Sequence, residues 1–591
     1  MMTRNAYLLI LLSLTAILPL RAEEQIPAAL AHFTGADFQG GAKDLFGSDF
    51  DGNQVNEIYA MPTGAHATME VTFPLQRVPP GPLFVHLKAR DDDHSTRCMI
   101  AIELNGRVLF EGNNTFPSKT FETRRFPVPA GVLNAGTNTL RIACREKKGK
   151  LGMPPWFQVA TCVVGPAKYV IRRDLHKDFW VTLPAEKRPF PEPLPEGGHP
   201  GFKFRGTKGW LWSPEQYMAE IPWLVKFKMN FLMNCYGSMC DIEHYGWGDS
   251  QCNRWWEDLP AGKKKAYENV VRECQRRNIT FCFSMNPNIF NSRVVNDDSP
   301  GSVDLLFKHY AWMQGLGVKW FNISLDDIAK GVNASSQARV VNEILRRLRA
   351  KDPEAQMIFC PTYYWGDGTG KQQKPYLQTL ARELDKDVYM FWTGDDVVGR
   401  ITRKGADTFR GLCGHRLFLW DNYPVNDDQP TMHLGPVIDR DPDLCEVVDG
   451  YMSNPMRKQD EMNRIPLATC ADYSYNPYAY DPERSIAQAI LHVGNTPAQC
   501  EALRDLVETY PGMLILGHHN TSFNSVQYQF DRLLKEPEAR QVATGYLEHL
   551  QELSARLKKE FPGDYQPAQQ TLDQDIQIAA KKLAATDSSN P

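Results

Sequence analysis

Beyond its first residues, the 591-residue chain has no apolar run near the ~20 residues that a membrane-spanning helix needs. The one candidate, Ala6 to Leu20, is too short. With Arg4 before it and small Ala22 followed by Glu23 and Glu24, it reads as a secretory signal peptide over residues 1–22. An exported mature chain, periplasmic or extracellular and without stable membrane insertion, is expected from about Glu23. Surplus basic charge is missing as well: 66 Lys and Arg against 70 Asp and Glu leave a net charge of -4, which excludes the electrostatic footprint of a nucleic-acid binder. The 13 cysteines include no Cys-x-x-Cys pair, and Cys282, Cys360 and Cys470 sit inside apolar runs, where a thiol behaves as a small hydrophobe. Other cysteines can pair in an oxidising compartment, with no spacing that says which. Nothing points to a metal or organic cofactor.

What is present is a globular composition, 42% hydrophobic and 11% aromatic, in a chain too long for one core. Residues 23–166 hold short strand-like runs, MEVTFPL, LFVHLKAR, CMIAIELNGRVLFEG, TLRIAC and WFQVATCVV, separated by Gly, Pro and Asn. This spacing predicts an antiparallel β-sandwich. Asn105-Gly106 marks a hairpin within it, because both residues tolerate positive φ. Asp91-Asp92-Asp93-His94 reads as a solvated loop rather than a calcium site. Residues 167–201, ending in KRPFPEPLPEGGHP, form a linker too rich in Pro and Gly for an element interior.

From residue 202 to 482 apolar runs alternate with amphipathic helical stretches. The runs are FKFRG, NFLMN, ITFCFSMNP, WFNISLDD, MIFCPTYYW, VYMFWTG, LFLWDNYP and VVDGYMSNP, and eight of them predict a (β/α)8 TIM barrel. Between the first two, Ser213-Pro214-Glu215-Gln216 combines a capping Ser, a Pro at the first helical position and Gln three after the cap. Residues 483–585 predict an α-helical bundle, with Leu547, Leu550, Leu553 and Leu557 on one face, and residues 586–591 a frayed tail.

Barrel enzymes place reacting groups at the carboxyl ends of the strands. Those positions hold Asp326 and Asp327 on the fourth strand, Tyr364 on the fifth, Thr393 on the sixth, Asn422 and Asp427 after the seventh and Asn454 on the eighth. Adjacent carboxylates repel, so one keeps its proton to higher pH than a free aspartic acid, and the two titrate as a unit. That supplies a proton donor beside a negative stabiliser. Trp392 and Trp420 offer faces for a pyranose ring, and Asn and Asp side chains can pair with sugar hydroxyls.

FNISLDDIAKG, CPTYYWG, MFWTGDDVV, FLWDNYPVNDD, LGPVIDRD, GYMSNPM and ATCADYSYNPYAY, in that order, resemble the family 84 glycoside hydrolases, the O-GlcNAcase-like β-N-acetylglucosaminidases, in a divergent bacterial-type form. The resemblance implies retaining, substrate-assisted hydrolysis of a terminal β-linked N-acetylglucosamine in a glycan or glycoprotein, through an oxazoline formed by the sugar's own acetamido oxygen. It makes Asp326 the group that orients the acetamide and Asp327 the general acid and base. It places Tyr364 beside the reacting centre, Thr393 and Trp420 in the acetamido pocket, and Asn422, Asp427 and Asn454 around the catalytic pair or the sugar hydroxyls. The amino-terminal LNG, FEGNN and PPWF resemble galactose-binding-like jelly-roll modules.

Three loops depart from the family. RGTKGWLWS is shorter than the usual turn and leaves Gly209 as its glycine; NFLMNCYGS has Gly237 where a sugar-binding lysine is expected; and SMNPN replaces a His-Pro. A non-catalytic carbohydrate-binding barrel, or the same chemistry on another acetamido sugar, are the alternatives these changes leave open.

Overall fold

The computed structural model describes residues 29 to 588, except 43–48, 50–53, 61–65, 76, 93–96, 119, 147, 150–154, 168–180, 195, 199, 240–253, 290–292, 300, 329, 427–431, 459–460, 513–524 and 535–538. The signal-peptide reading, Asp427, Asp93 with His94 and the end of the tail therefore lie outside the described residues.

The first ten strands are β1 (Ala31–Thr34), β2 (Gln39–Gly40), β3 (Asn56–Tyr59), β4 (Thr68–Leu75), β5 (Leu83–Asp91), β6 (Met99–Leu104), β7 (Arg107–Asn113), β8 (Glu122–Val128), β9 (Gly136–Cys144) and β10 (Trp156–Gly165). They form two antiparallel five-stranded sheets, one in the order β2-β4-β9-β6-β7, the other β1-β10-β5-β8 with β3 also on β10. Alternation along β4 buries Met69, Val71, Phe73 and Leu75 and leaves Glu70, Thr72 and Pro74 outside. These residues share one apolar cluster with Val85 and Leu87 of β5 and Val159 of β10. Asn105 and Gly106 turn β6 into β7 at φ 51° and 77°, as their tolerance of positive φ predicts. The solvated-loop reading of Asp91 and Asp92 is wrong. Both are buried, Asp91 accepting from Asn114 Nδ2 at 2.7 Å and Asp92 from the Trp156 amide at 2.9 Å. Such bonds compensate for lost solvation. Cys98 and Cys144 lie unbridged in this cluster, sulfur to sulfur 3.6 Å apart.

The eight apolar runs fold as β11 (Phe204–Thr207), β12 (Phe231–Met233), β13 (Thr280–Met285), β14 (Trp320–Ser324), β15 (Gln356–Cys360), β16 (Tyr389–Trp392), β17 (Leu417–Pro424) and β18 (Val448–Asn454), each pairing with the next in parallel and β18 with β11 to close a barrel. Helices α1 (Pro214–Lys226), α2 (Ala261–Arg276), α3 (Ser302–Gly315), α4 (Ala334–Lys351), α5 (Gln373–Glu383) and α6 (Arg403–Cys413) follow the first six strands. Ser213 caps α1 by accepting from the Gln216 amide at 3.3 Å. Among the described residues the seventh crossover has a 3-10 turn, Pro442–Glu446, and no α-helix, and α7 (Arg464–Tyr475) follows β18.

Period-two alternation decides which side chains reach the barrel interior. On β14 and just past it, Phe321, Ile323 and Leu325 pack outward in the large helix-facing cluster. Asn322 and Ser324, equally buried, point the other way, Ser324 Oγ donating to Asn322 Oδ1 at 2.9 Å. One end of the interior is plugged by rings: Trp320 lies 4.5 Å from Phe204, 6.0 Å from Phe231 and 5.3 Å from Tyr389, centroid to centroid. Above that plug sits a polar layer in which Asn322 accepts from Ser284 at 2.6 Å and donates to the Ile358 carbonyl at 3.0 Å. The catalytic candidates lie at the far end.

Beyond the barrel run α8 (Pro482–Val493), α9 (Pro497–Thr509), α10 (Ser525–Leu533), α11 (Ala539–Glu560) and α12 (Gln566–Ser588). Leu547, Leu550, Leu553 and Leu557 are all buried, so the apolar face of α11 is the one its spacing predicts. No described helix is long and apolar enough to cross a membrane.

Candidate active site

The chain turns sharply between the two aspartates. Leu325 is still tied to the sheet, its amide donating to the Cys360 carbonyl at 2.9 Å, but Asp327 adopts φ 52°. This left-handed conformation is one that Asp tolerates better than most residues. The turn separates two side chains that would otherwise alternate: Asp326 is 2% exposed, whereas Asp327 is exposed at the barrel mouth.

Three strand ends converge on Asp326. From the loop after β12, Tyr236 donates its hydroxyl to Oδ2 at 3.1 Å. From the loop after β13, Asn286 donates through Nδ2 to Oδ1 at 3.1 Å and to the Asp326 carbonyl at 3.0 Å. From the loop after β11, the ammonium of buried Lys208 lies 3.8 Å from the centroid of a Trp420 ring and within 5.2 Å of that of Tyr236. Burial pushes the Asp326 carboxyl up to about 7, the Asp327 charge adds to that rise, and the Lys208 charge opposes it.

Asp327 has its own partner, Tyr364, whose hydroxyl donates to Oδ1 at 3.2 Å. Burial first, and the nearby carboxylates next, push the Tyr364 phenol well above its ordinary range, so it remains a donor at any working pH. Thr393 is buried and fixes this tyrosine, its amide donating to the Tyr364 carbonyl at 2.9 Å. Trp420 stands between the two tyrosines, its ring centroid 6.3 Å from Tyr236 and 6.5 Å from Tyr364. Its Nε1 donates to Asn422 Oδ1 at 2.9 Å, and Asn454 Nδ2 donates to the same oxygen at 2.9 Å. Asn454 Oδ1 is buried with no hydrogen-bond partner among the described residues. A buried amide oxygen left open at a barrel mouth suits a hydroxyl donor.

Gly209 holds the first loop. It adopts φ +62°, and a Cβ there would lie 2.5 Å from atoms of Trp212 and Tyr217. Gly209→Ala is therefore expected to cost roughly 2 to 4 kcal/mol from left-handed strain and overpacking together. A urea-denaturation midpoint indistinguishable from that of wild type would contradict this.

The structure thus brings together Asp326, Asp327, Tyr364, Thr393, Trp420, Asn422 and Asn454, with Gly209 shaping the adjoining loop. Trp392 does not join them: it is fully buried in the helix-facing cluster, its Nε1 donating to the Gly366 carbonyl at 2.8 Å. Lys208, Tyr236 and Asn286 were not singled out by the sequence, although each lies in one of its three divergent loops.

A model of the beta-N-acetylglucosaminidase family matches residues 206–508, the barrel and the first helices after it. The chain belongs to this family. It is also similar in fold to solved structures: a Thermobaculum terrenum O-GlcNAc hydrolase mutant, at 21% identity over 65% of this chain and 84% of that one with TM-score 0.55, and CpGH84B, at 20% identity over 74% and 72% with TM-score 0.53. The altered loops therefore belong to a family barrel, and they end on one of its two adjacent carboxyls.

Proposed function

We propose that the protein is an exported, retaining glycoside hydrolase that removes a terminal β-linked N-acetylglucosamine, or a related 2-acetamido sugar, from glycans or glycoproteins. The observation that carries this reading is the pairing of two adjacent carboxyls in unlike settings, Asp326 enclosed by donors and Asp327 open to the mouth beside Tyr364. Two neighbours in sequence are poorly placed to work as acid and nucleophile across a bond, an arrangement in which carboxyls stand ~5 Å apart on either side of it. They suit a substrate that brings its own nucleophile.

In the proposed reaction the acetamido oxygen attacks the anomeric carbon while Asp326 accepts from the acetamido N–H. Asp327 gives its proton to the departing glycosidic oxygen, whose bond to the sugar breaks. Asp327 then takes a proton from water as that water's oxygen bonds the anomeric carbon and the oxazoline C–O bond there breaks; the hydroxyl stays on the released sugar with retained configuration, and Asp327 is again protonated. Trp420 and Thr393 would wall the acetamide; Asn422, Asn454 and Asp427 would meet the sugar hydroxyls or hold the pair. The family match and the site geometry support a hydrolase, and no step calls for a cofactor.

By the same reasoning, residues 23–166 are proposed to be a galactose-binding-like jelly-roll module, 167–201 a linker, 202–482 the catalytic unit and 483–585 a helical unit. Incubation with aryl 2-acetamido-2-deoxy-β-glycosides is expected to release the phenol, with inhibition by a thiazoline mimic of the oxazoline. Tight sugar binding without release from any such glycoside would sink the hydrolase reading in favour of a binding protein.

A further inference from the structure

The mouth of the barrel contains a buried cation with no assigned role. Lys208 is 1% exposed, and its Nζ lies 4.3 Å from the centroid of Trp210, 5.2 Å from that of Tyr236 and 3.8 Å from that of Trp420. Ring faces attract a cation but cannot replace the hydration an ammonium loses on burial, so such a group is retained where a carboxylate is near. The backbone that aims it is pinned on both sides. The Lys208 amide donates to the Ser453 carbonyl of β18 at 3.2 Å, and its carbonyl accepts from the Tyr217 hydroxyl of α1 at 2.9 Å. Gly209 follows at φ +62°, where a Cβ would crowd Trp212 and Tyr217.

The same tyrosine face that borders Lys208 carries the hydroxyl bonded to Asp326. We infer that Lys208 is a positioning residue for the reaction proposed above: from the first strand end, its ammonium favours the ionised form of Asp326 and keeps that carboxyl turned toward the position of the acetamido N–H. The inference rests on the glycosidase reading and goes beyond it, because it gives the divergent loops a common task. Lys208, Tyr236 and Asn286, one from each of them, all act on Asp326.

The groups that face Asp326 make the charge argument specific. Asp327 and the buried Cys360 and Tyr364 offer it no positive charge, Tyr236 and Asn286 offer neutral donors, and Lys208 is the cation whose field lowers its proton affinity. Without the ammonium, Asp326 holds the proton of the pair to still higher pH, and Asp326 is the wrong carboxyl for protonating a leaving group.

The test compares wild type, Lys208→Met and Lys208→Arg in kcat and KM across pH, using a nitrophenyl 2-acetamido-2-deoxy-β-glucoside. Lys208→Met is expected to move the acid limb of kcat up by about one pH unit, as loss of one nearby opposite charge should. It should lower kcat at pH 6 by about tenfold or more and leave KM within about twofold, while Lys208→Arg restores the wild-type limb. A raised KM with an unmoved limb would mean that Lys208 contacts sugar instead, and would overturn the inference. Folding supplies a readout independent of turnover: Lys208→Met should lower the urea midpoint at pH 8 more in wild type than in an Asp326→Asn background. Equal losses in the two backgrounds would remove Lys208 from this role while leaving the hydrolase reading intact, whereas absence of any hydrolysis by wild type would overturn that reading and this role with it.

Discussion

Asp327→Asn is expected to lower kcat by about 10² to 10⁴ for glycosides with poor leaving groups, the range that positioned proton transfer supplies. The reason is local. Asp327 is the member of the pair that reaches the open mouth, and Tyr364 holds its Oδ1 at 3.2 Å without displacing it toward the interior. Asn keeps the shape and the bond from Tyr364 but has no proton to give and accepts none from water. A dinitrophenyl leaving group needs little protonation, so oxazoline formation should lose much less with that substrate. The subsequent opening by water should then become limiting and appear as a burst of phenol. Measuring kcat over a series of aryl leaving groups checks both points. Equal loss across the series would assign Asp327 a binding role, with proton transfer carried by another group.

Much of this geometry was written in the pattern of the chain, but not its phase. The eight barrel runs were legible because each is buried on both faces, which demands continuous apolar residues. Which residues of a run face inward depends on a parity that apolarity alone cannot show. In β16, Tyr389 and Phe391 belong to the interior cluster, while Met390 and Trp392 lie among the helices; in β17, Phe418 and Trp420 face inward. Two tryptophans with similar neighbours thus go to opposite sides. β8, with the sequence ETRRFPV, escaped detection because four of its seven residues are exposed polar groups before the first ring. Asp91 and Asp92 misled in the opposite sense, since a charge cluster usually marks solvent but these carboxyls are enclosed by donors from Cys98, Asn114 and Trp156.

The site divides along the same line. Asp326, Asp327 and Tyr364 were found because strand ends and ordered motifs mark them. Lys208, Tyr236 and Asn286 belong to three separate crossovers and meet only when the barrel closes. A partner set of that kind has no spacing in the sequence. Its one trace was the divergence of the three loops, which read as a loss of sugar contacts. In the structure the same loops supply an ammonium, a hydroxyl and an amide around one carboxyl.

Asp326→Asn is expected to change two measurements in opposite directions. Catalysis should fall by about 10² to 10³ in kcat, the scale for removing one preorganised electrostatic partner of a developing charge, because Asn cannot answer the positive charge that grows on the acetamide. Stability carries the opposite sign at alkaline pH. The folded Asp326 carboxyl is raised from 3.8 to about 7, chiefly by burial, so the folded protein holds this proton more tightly than the unfolded chain. The associated stability is present in full below the unfolded value and is lost as pH rises through the folded one. A rise of that size corresponds to about 4 kcal/mol at most. Asn is neutral throughout and escapes this loss, although leaving Lys208 without its carboxylate adds a fixed cost to the variant. The expected result is a gap in unfolding free energy between variant and wild type that moves in the variant's favour from pH 4 to pH 8, whatever its starting value. Urea titrations at pH 4, 6 and 8 measure it. A gap that stays constant would mean that Asp326 is ionised across the whole range, and the proton of the pair would then reside on Asp327 even in the free protein.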